Sequence, residues 1–153
     1  MIEEAAISAA IPRTCRNVAM DLLARREHAR AELARKLRQR DFSADEIDAA
    51  LDRLAQEGLL SDARFAEAYV RQRAGKGFGP IRIRHELAER GVDAVLIDAA
   101  LAPWAEQWLA LAAAQWEKRF GVAPEDAKAR AKQQRFLQYR GFGFDIIREI
   151  ISD

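Results

Sequence analysis

Leu37-Arg38-Gln39-Arg40-Asp41-Phe42, then Ile47 and Leu51, is the stretch that decides the fold, because it recurs twice. About 50 residues on stand Leu87, Arg90, Gly91, Val92, Ile97 and Leu101; after another such step come Leu137, Arg140, Gly141, Phe142, Ile147 and Ile151. A self-similar period of about 50 residues is the mark of a repeat architecture, in which each copy is one small packing unit. Repeats build long surfaces more often than deep catalytic clefts.

Working outward, the apolar residues fall at helical spacing. Leu33 and Leu37 sit four apart, as do Ile83 and Leu87. No stretch alternates apolar and polar residues as a half-buried strand does, and the composition, rich in Ala, Leu, Arg, Glu and Gln, favours helix. The fold class is all-α: three tandem three-helix repeats in an elongated, curved molecule. Residues 1–12 read as a loose arm; the repeats occupy residues 13–60, 61–102 and 103–153.

The helix ends are also written in the sequence. The first helix runs from Thr14 to Glu27. Asp41, Gly91 and Gly141 are the left-handed caps that close the second helix of each repeat. Ser43 with Glu46 forms a capping box before Ile47. Ser61 caps the fourth helix, and Pro80 suits the first turn of the fifth. The Gly75–Pro80 stretch reads as a flexible hinge. Pro103 opens the seventh helix, and Pro124, Glu125 and Asp126 put acids in the first turn of the eighth. Gln133 stands where Leu33 and Ile83 stood, so the third repeat is the most divergent.

With 153 residues and half of them hydrophobic, the chain can bury a core. The single cysteine, Cys15, excludes an internal disulfide framework and fits a reducing cytoplasm. No segment is long and apolar enough for a membrane span, so a soluble monomer is expected. His28 and His85 are the only histidines and lie far apart, with no metal-ligand spacing and no nucleophile signature. The glycines at 75, 77 and 79 lack the strand and the Gly-Lys-Ser/Thr ending of a phosphate loop. Neither an enzyme nor a cofactor is expected. The three tryptophans fall at helical spacing and read as core rather than as a stacking platform.

The net charge is only +1, yet the cations are clustered. Arg35 and Lys36 lie on the second helix of the first repeat. Arg71, Arg73, Lys76, Arg82 and Arg84 follow one another without an intervening acid, as do Lys128, Arg130, Lys132, Arg135 and Arg140. With Arg64, these form a basic stripe suited to a phosphate backbone or an acidic protein groove.

The run Arg25-Arg26-Glu27-His28-Ala29-Arg30-Ala31-Glu32-Leu33, then Lys36-Leu37, Asp62-Ala63-Arg64-Phe65-Ala66 and Gly79-Pro80-Ile81-Arg82-Ile83 resembles the RecX family of bacterial recombination regulators. The likeness covers nearly the whole chain after Pro12. It implies tandem three-helix repeats and no enzymatic activity. It also implies binding to the RecA recombinase in the groove of its filament on single-stranded DNA, restraining ATP hydrolysis, strand exchange and the co-protease activity behind the SOS response. The alternative function is that of a direct nucleic-acid-binding helical repeat protein, and weak direct DNA binding is a further expected contact. Two positions depart from the pattern: Ala29 replaces a capping serine, and Asp41 replaces a glycine. Charge reversal of Arg71, Arg73 and Lys76 together is expected to abolish inhibition of recombinase-dependent ATP hydrolysis while leaving helicity intact.

Overall fold

A computed structural model of the chain describes residues 13–152, so the expected arm over residues 1–12 lies outside the described residues. Among the described residues there is no strand. The helices are α1 (Cys15–Arg25), α2 (Arg30–Gln39), α3 (Ala44–Gln56), α4 (Asp62–Gly75), α5 (Pro80–Glu89), α6 (Ala94–Leu101), α7 (Trp108–Arg119), α8 (Ala127–Arg140) and α9 (Phe144–Ile150). The chain divides into two compact units, Met1–Asp62 and Ala63–Asp153.

One local motif accounts for the repeated signature. At the end of α2, Asp41 N–H donates to the Arg38 carbonyl and Phe42 N–H to the Leu37 carbonyl. The pattern returns after α5, from Gly91 to Ala88 and from Val92 to Leu87, and after α8, from Gly141 to Gln138 and from Phe142 to Leu137. This is the Schellman cap. Its second residue past the end is apolar because it packs back on the last turn. The cap needs a left-handed residue; Asp41 adopts φ 68° and Gly141 φ 104°. The apolar positions of all three copies are buried: Leu33, Leu37, Ile47 and Leu51; Ile83, Leu87, Ile97 and Leu101; Leu137, Ile147 and Ile151.

In the first unit these residues join Val18, Leu22, Leu54 and Leu60 in one core. Thr14 caps α1, accepting from Asn17 N–H at 3.1 Å. The expected capping box opens α3: Ser43 Oγ accepts from Glu46 N–H at 3.2 Å, and Ser43 N–H donates to Glu46 Oε1 at 3.3 Å. Ala29 precedes α2 and offers no side-chain acceptor. The free amide of Arg30 donates instead to Asp62 Oδ1 at 2.7 Å.

In the second unit the Gly75–Pro80 segment is not a hinge. Gly75 completes α4, Gly79 N–H donates to the Arg140 carbonyl at 2.8 Å, and Ile81 N–H donates to that of Gly141 at 3.0 Å. A Cβ on Gly79 would fall 2.6 Å from the Gly141 oxygen, and one on Gly141 would fall 2.4 Å from Arg82 Cβ. The two turns pack backbone on backbone, so the segment is pinned to the end of α8.

Other boundaries shift for local reasons. Pro103 lies in a short 3₁₀ turn, Ala102–Trp104, and α7 opens later, at Trp108. The first helix stops at Arg25, before Glu27. Asp126 sits outside α8 and caps it, accepting from Ala129 N–H at 2.8 Å. Gln133 is buried and satisfied: its Oε1 accepts from Trp116 Nε1 at 2.8 Å, and its Nε2 donates to the Val122 carbonyl at 3.0 Å. Trp108 is buried and stacks on Trp104, the ring centroids 5.7 Å apart.

Gly141→Ala forces a left-handed alanine into occupied space. It is expected to destabilise the second unit by about 2–4 kcal/mol in urea unfolding. Asp41→Gly removes a strained non-glycine cap without touching a core contact and should raise stability, by up to about 1 kcal/mol.

Candidate basic interaction surface

The cations singled out in the sequence divide by what their side chains already hold. In the first unit, Arg35 is exposed on α2 and makes no hydrogen bond or ion pair among the described residues. Lys36, one residue on, points back: its Nζ donates to Nε2 of the buried His28 at 3.0 Å. His28 Nδ1 lies 3.1 Å from the Arg26 carbonyl. Accepting from Lys36 on one nitrogen and donating to Arg26 with the other makes the imidazole neutral. Burial, with the nearby Arg26 and Lys36 charges, pushes its pKa below the ordinary histidine value. Lys36 is therefore part of the packing at the α2 base.

In the second unit, Arg73 and Arg82 are structural rather than free. Glu86, on α5, gathers them. Arg73 donates to both of its carboxylate oxygens at 2.9 Å, Tyr69 Oη donates to Oε1 at 3.0 Å, and Arg82 Nε lies 3.4 Å from Oε2. Burial alone would raise the Glu86 pKa, but the Arg73 and Tyr69 hydrogen bonds and the arginine charges outweigh it and hold the carboxyl below its ordinary range. The Phe78 ring is ringed by guanidinium carbons, Arg73 at 3.9 Å, Arg82 at 4.4 Å and Arg140 at 4.9 Å. Arg82 Nη1 also donates to the Tyr139 carbonyl at 3.2 Å, which ties α5 to the end of α8. Arg84 is exposed and pairs with Asp98 on α6.

Arg71 and Lys76 are exposed on α4 and just after it, and neither side chain has a partner among the described residues. Lys128, Lys132 and Arg135 are exposed along α8. Arg130, on the same helix, is half-buried, and its Nε is buried without a hydrogen-bond partner. Arg64 is exposed on α4. The structure thus brings Arg73 and Arg82 together around Glu86 and Phe78 and leaves Arg71, Lys76, Lys128, Lys132 and Arg135 on the surface of that unit.

Two basic residues near this surface, Lys118 and Arg119, escaped the sequence reading. Lys118 and Arg119 end α7, and Arg140 ends α8; with Lys76 they line one groove of the second unit. Lys118 and Arg119 stand apart from the longer charge runs, and only folding brings them to Lys76 and Arg140. Among the described residues there is no cluster of His, Cys, Asp and Glu able to hold a metal. No helix there is long and apolar enough to cross a membrane.

Glu86→Gln should cost the second unit about 1–3 kcal/mol near neutral pH, because Arg73 and Arg82 lose their shared acceptor. The folded-state pKa of Glu86 is depressed. Its contribution is therefore fully present above the ordinary glutamate pKa and is lost as pH falls through the depressed value. The substituted chain is expected to show a flatter loss of stability on acidification, read from urea unfolding at a series of pH values.

The RecX family matches the chain in three consecutive pieces: its first three-helix domain over residues 15–54, its second over 61–101 and its third over 105–151. The regulatory protein RecX of Pseudomonas entomophila (strain L48) is 50% identical over 142 residues, 92% of either chain. That of Pseudomonas fluorescens is 52% identical over 138 residues, 90% of this chain and 89% of the relative. The crystal structure of RecX from Lactobacillus salivarius superposes with a TM-score of 0.78 at 27% identity, covering 89% of this chain and 91% of that one.

Proposed function

Because the chain belongs to the RecX family of regulatory proteins, we propose that its partner is the RecA recombinase and that it acts as a restraint on that enzyme, with no catalysis of its own. It lies, as a monomer in the cytoplasm, in the groove of the RecA filament on single-stranded DNA. There it limits ATP hydrolysis, strand exchange and the co-protease activity that triggers the SOS response.

The observation that carries this reading is the recurrence of exposed cations on or beside the second helix of every repeat. Arg35 supplies them on α2, Lys76 and Arg84 at and before α5, and Lys128, Lys132 and Arg135 on α8. A filament repeats its own surface, and a chain of three like modules can meet successive subunits with like contacts. Simultaneous engagement multiplies weak contacts into tight binding, as linked modules do. A body laid across neighbouring subunits blocks entry of a second DNA and hinders the motions of turnover.

The contacts divide as the side chains do. Arg35, Arg71, Lys76, Lys128, Lys132 and Arg135 reach the filament. Lys36, Arg73 and Arg82 keep the surface in shape, and Arg84 contributes after exchanging Asp98 for the partner. This corrects the triple charge reversal expected from sequence. Reversing Arg73 would break the Glu86 cluster and confound loss of binding with loss of fold.

The clean test leaves Arg73 alone. The native chain should slow recombinase-dependent ATP hydrolysis on single-stranded DNA, and Arg71→Glu with Lys76→Glu should raise the concentration needed for half-inhibition about tenfold or more, with unchanged helical dichroism. Equal inhibition by the native and substituted chains would remove Arg71 and Lys76 from the contact. No inhibition by excess native chain would defeat the function.

A further inference from the structure

A different groove of the second unit, with a volume of about 550 Å³, joins an apolar floor to an acidic rim. Its floor is built by Ile81 from α5, Leu101 from the end of α6, Trp108 and Leu109 from α7, and Ile146 from α9. Leu101 and Trp108 are buried, but Ile81 is 58% exposed and Leu109 40%. Apolar side chains left open to solvent inside a polar rim mark a surface that a partner covers. Where α6 gives way to the short turn, the groove is lined by the exposed Ala102 and Ala105. Side chains that small let another helix approach closely.

The rim supplies charge. Asp145 and Glu149 are exposed, stand four residues apart on α9 and so share one face of it. Neither carboxylate has a hydrogen-bond or ion-pair partner among the described residues. The third acid of the groove, Asp98, is matched by Arg84, so the unmatched charge is negative. Floor and rim meet at Gly143, where a Cβ would fall 2.7 Å from Asp145 Oδ1 and 3.5 Å from Ile81 Cδ1. An apolar side chain seated on Ile81 therefore brings a neighbouring cation to Asp145.

This mixture selects its occupant. A small cation would not use the floor, an uncharged apolar molecule would gain nothing from the rim, and a nucleic acid is repelled by it. Carboxylates one helical turn apart match cations at the same spacing, which a helix presents beside its apolar stripe. We propose that this groove docks a basic amphipathic helix of a protein partner. The apolar stripe of that helix lies on Ile81 and Leu109, and its cations pair with Asp145 and Glu149. The groove works without recombinase or nucleic acid and does not depend on the recombinase reading.

The probe is a fluorescein-labelled helical peptide with Leu at alternating three- and four-residue steps and Lys elsewhere, titrated with the full chain alone. Anisotropy should show saturable binding that weakens as salt rises, because the ion pairs are exposed. Asp145→Asn with Glu149→Gln should weaken binding about fivefold or more at low salt. Ile81→Ala with Leu109→Ala should weaken it about tenfold or more and leave the salt dependence in place. Both apolar side chains are substantially exposed, so unfolding midpoints by dichroism should move little in either pair. Asp45→Asn with Asp48→Asn removes equal charge from α3, outside the groove lining, and should change affinity by less than about twofold. A peptide with Ser in place of Leu should bind about tenfold more weakly than the probe. Absent binding by the native chain, unchanged affinity in either groove pair, an equal loss in the α3 pair, or equal binding of the Ser peptide would each overturn the proposal. So would sedimentation of the native chain as a dimer that Ile81→Ala with Leu109→Ala dissolves, which would give the groove to a second copy of this chain.

Discussion

The backbone of Gly79 lies against that of Gly141 too closely for a side chain at either place, and the second unit is arranged around that approach. It sets Ile81 N–H on the Gly141 carbonyl, and it puts Arg82 within reach of the Tyr139 carbonyl. Arg82 then meets Glu86, which already holds Arg73 and Tyr69. Phe78 fills the space that three guanidinium groups would otherwise leave to water. Bringing three arginines this close costs electrostatic energy that one half-buried carboxylate and one aromatic face offset only while the geometry holds. The glycines are therefore a condition for the charge cluster as well as for the turn.

Much of the fold can be read from residues close together in the chain. A Schellman cap is a matter of six consecutive residues, so Leu37 to Phe42 and its two successors announce three helix ends. The Ser43–Glu46 capping box is equally local and is present as the sequence implies. The apolar ladder that these caps punctuate gives the three-helix unit, because a short helix is held by tertiary packing of its apolar face. Even the Gln133 exception is polar only in name. Its amide has both partners, so it fills a leucine's place at no cost in unsatisfied groups.

The charged surface was less legible, for a reason of distance. Arg71 and Arg73 look alike in sequence, two positions apart on one helix. One faces solvent and the other reaches a carboxylate thirteen residues away. Lys36 looks like Arg35 until a buried histidine claims it. Lys118 and Arg119 belong to no long charge run and meet Arg140, the last cation of the α8 run, only when α7 and α8 fold together. Pairing of charges is decided by the tertiary structure, so the sequence offers the cations but not which of them are already spent on the protein itself. The glycine-rich segment failed for the same reason. Its composition speaks of freedom, while its neighbours, far off in the chain, remove it.

Asp62 carries one more consequence. It is the first residue of α4, yet its carboxylate closes the start of α2, where Ala29 provides nothing. A carboxylate at that place also suits the positive end of the helix dipole. The unit of sequence repetition and the unit of stability are therefore offset by a residue or two. The first module, excised or shuffled along the repeat boundary, would leave its own second helix uncapped and hand the acid to its neighbour. The first copy is thereby tied to its place before the second in the chain.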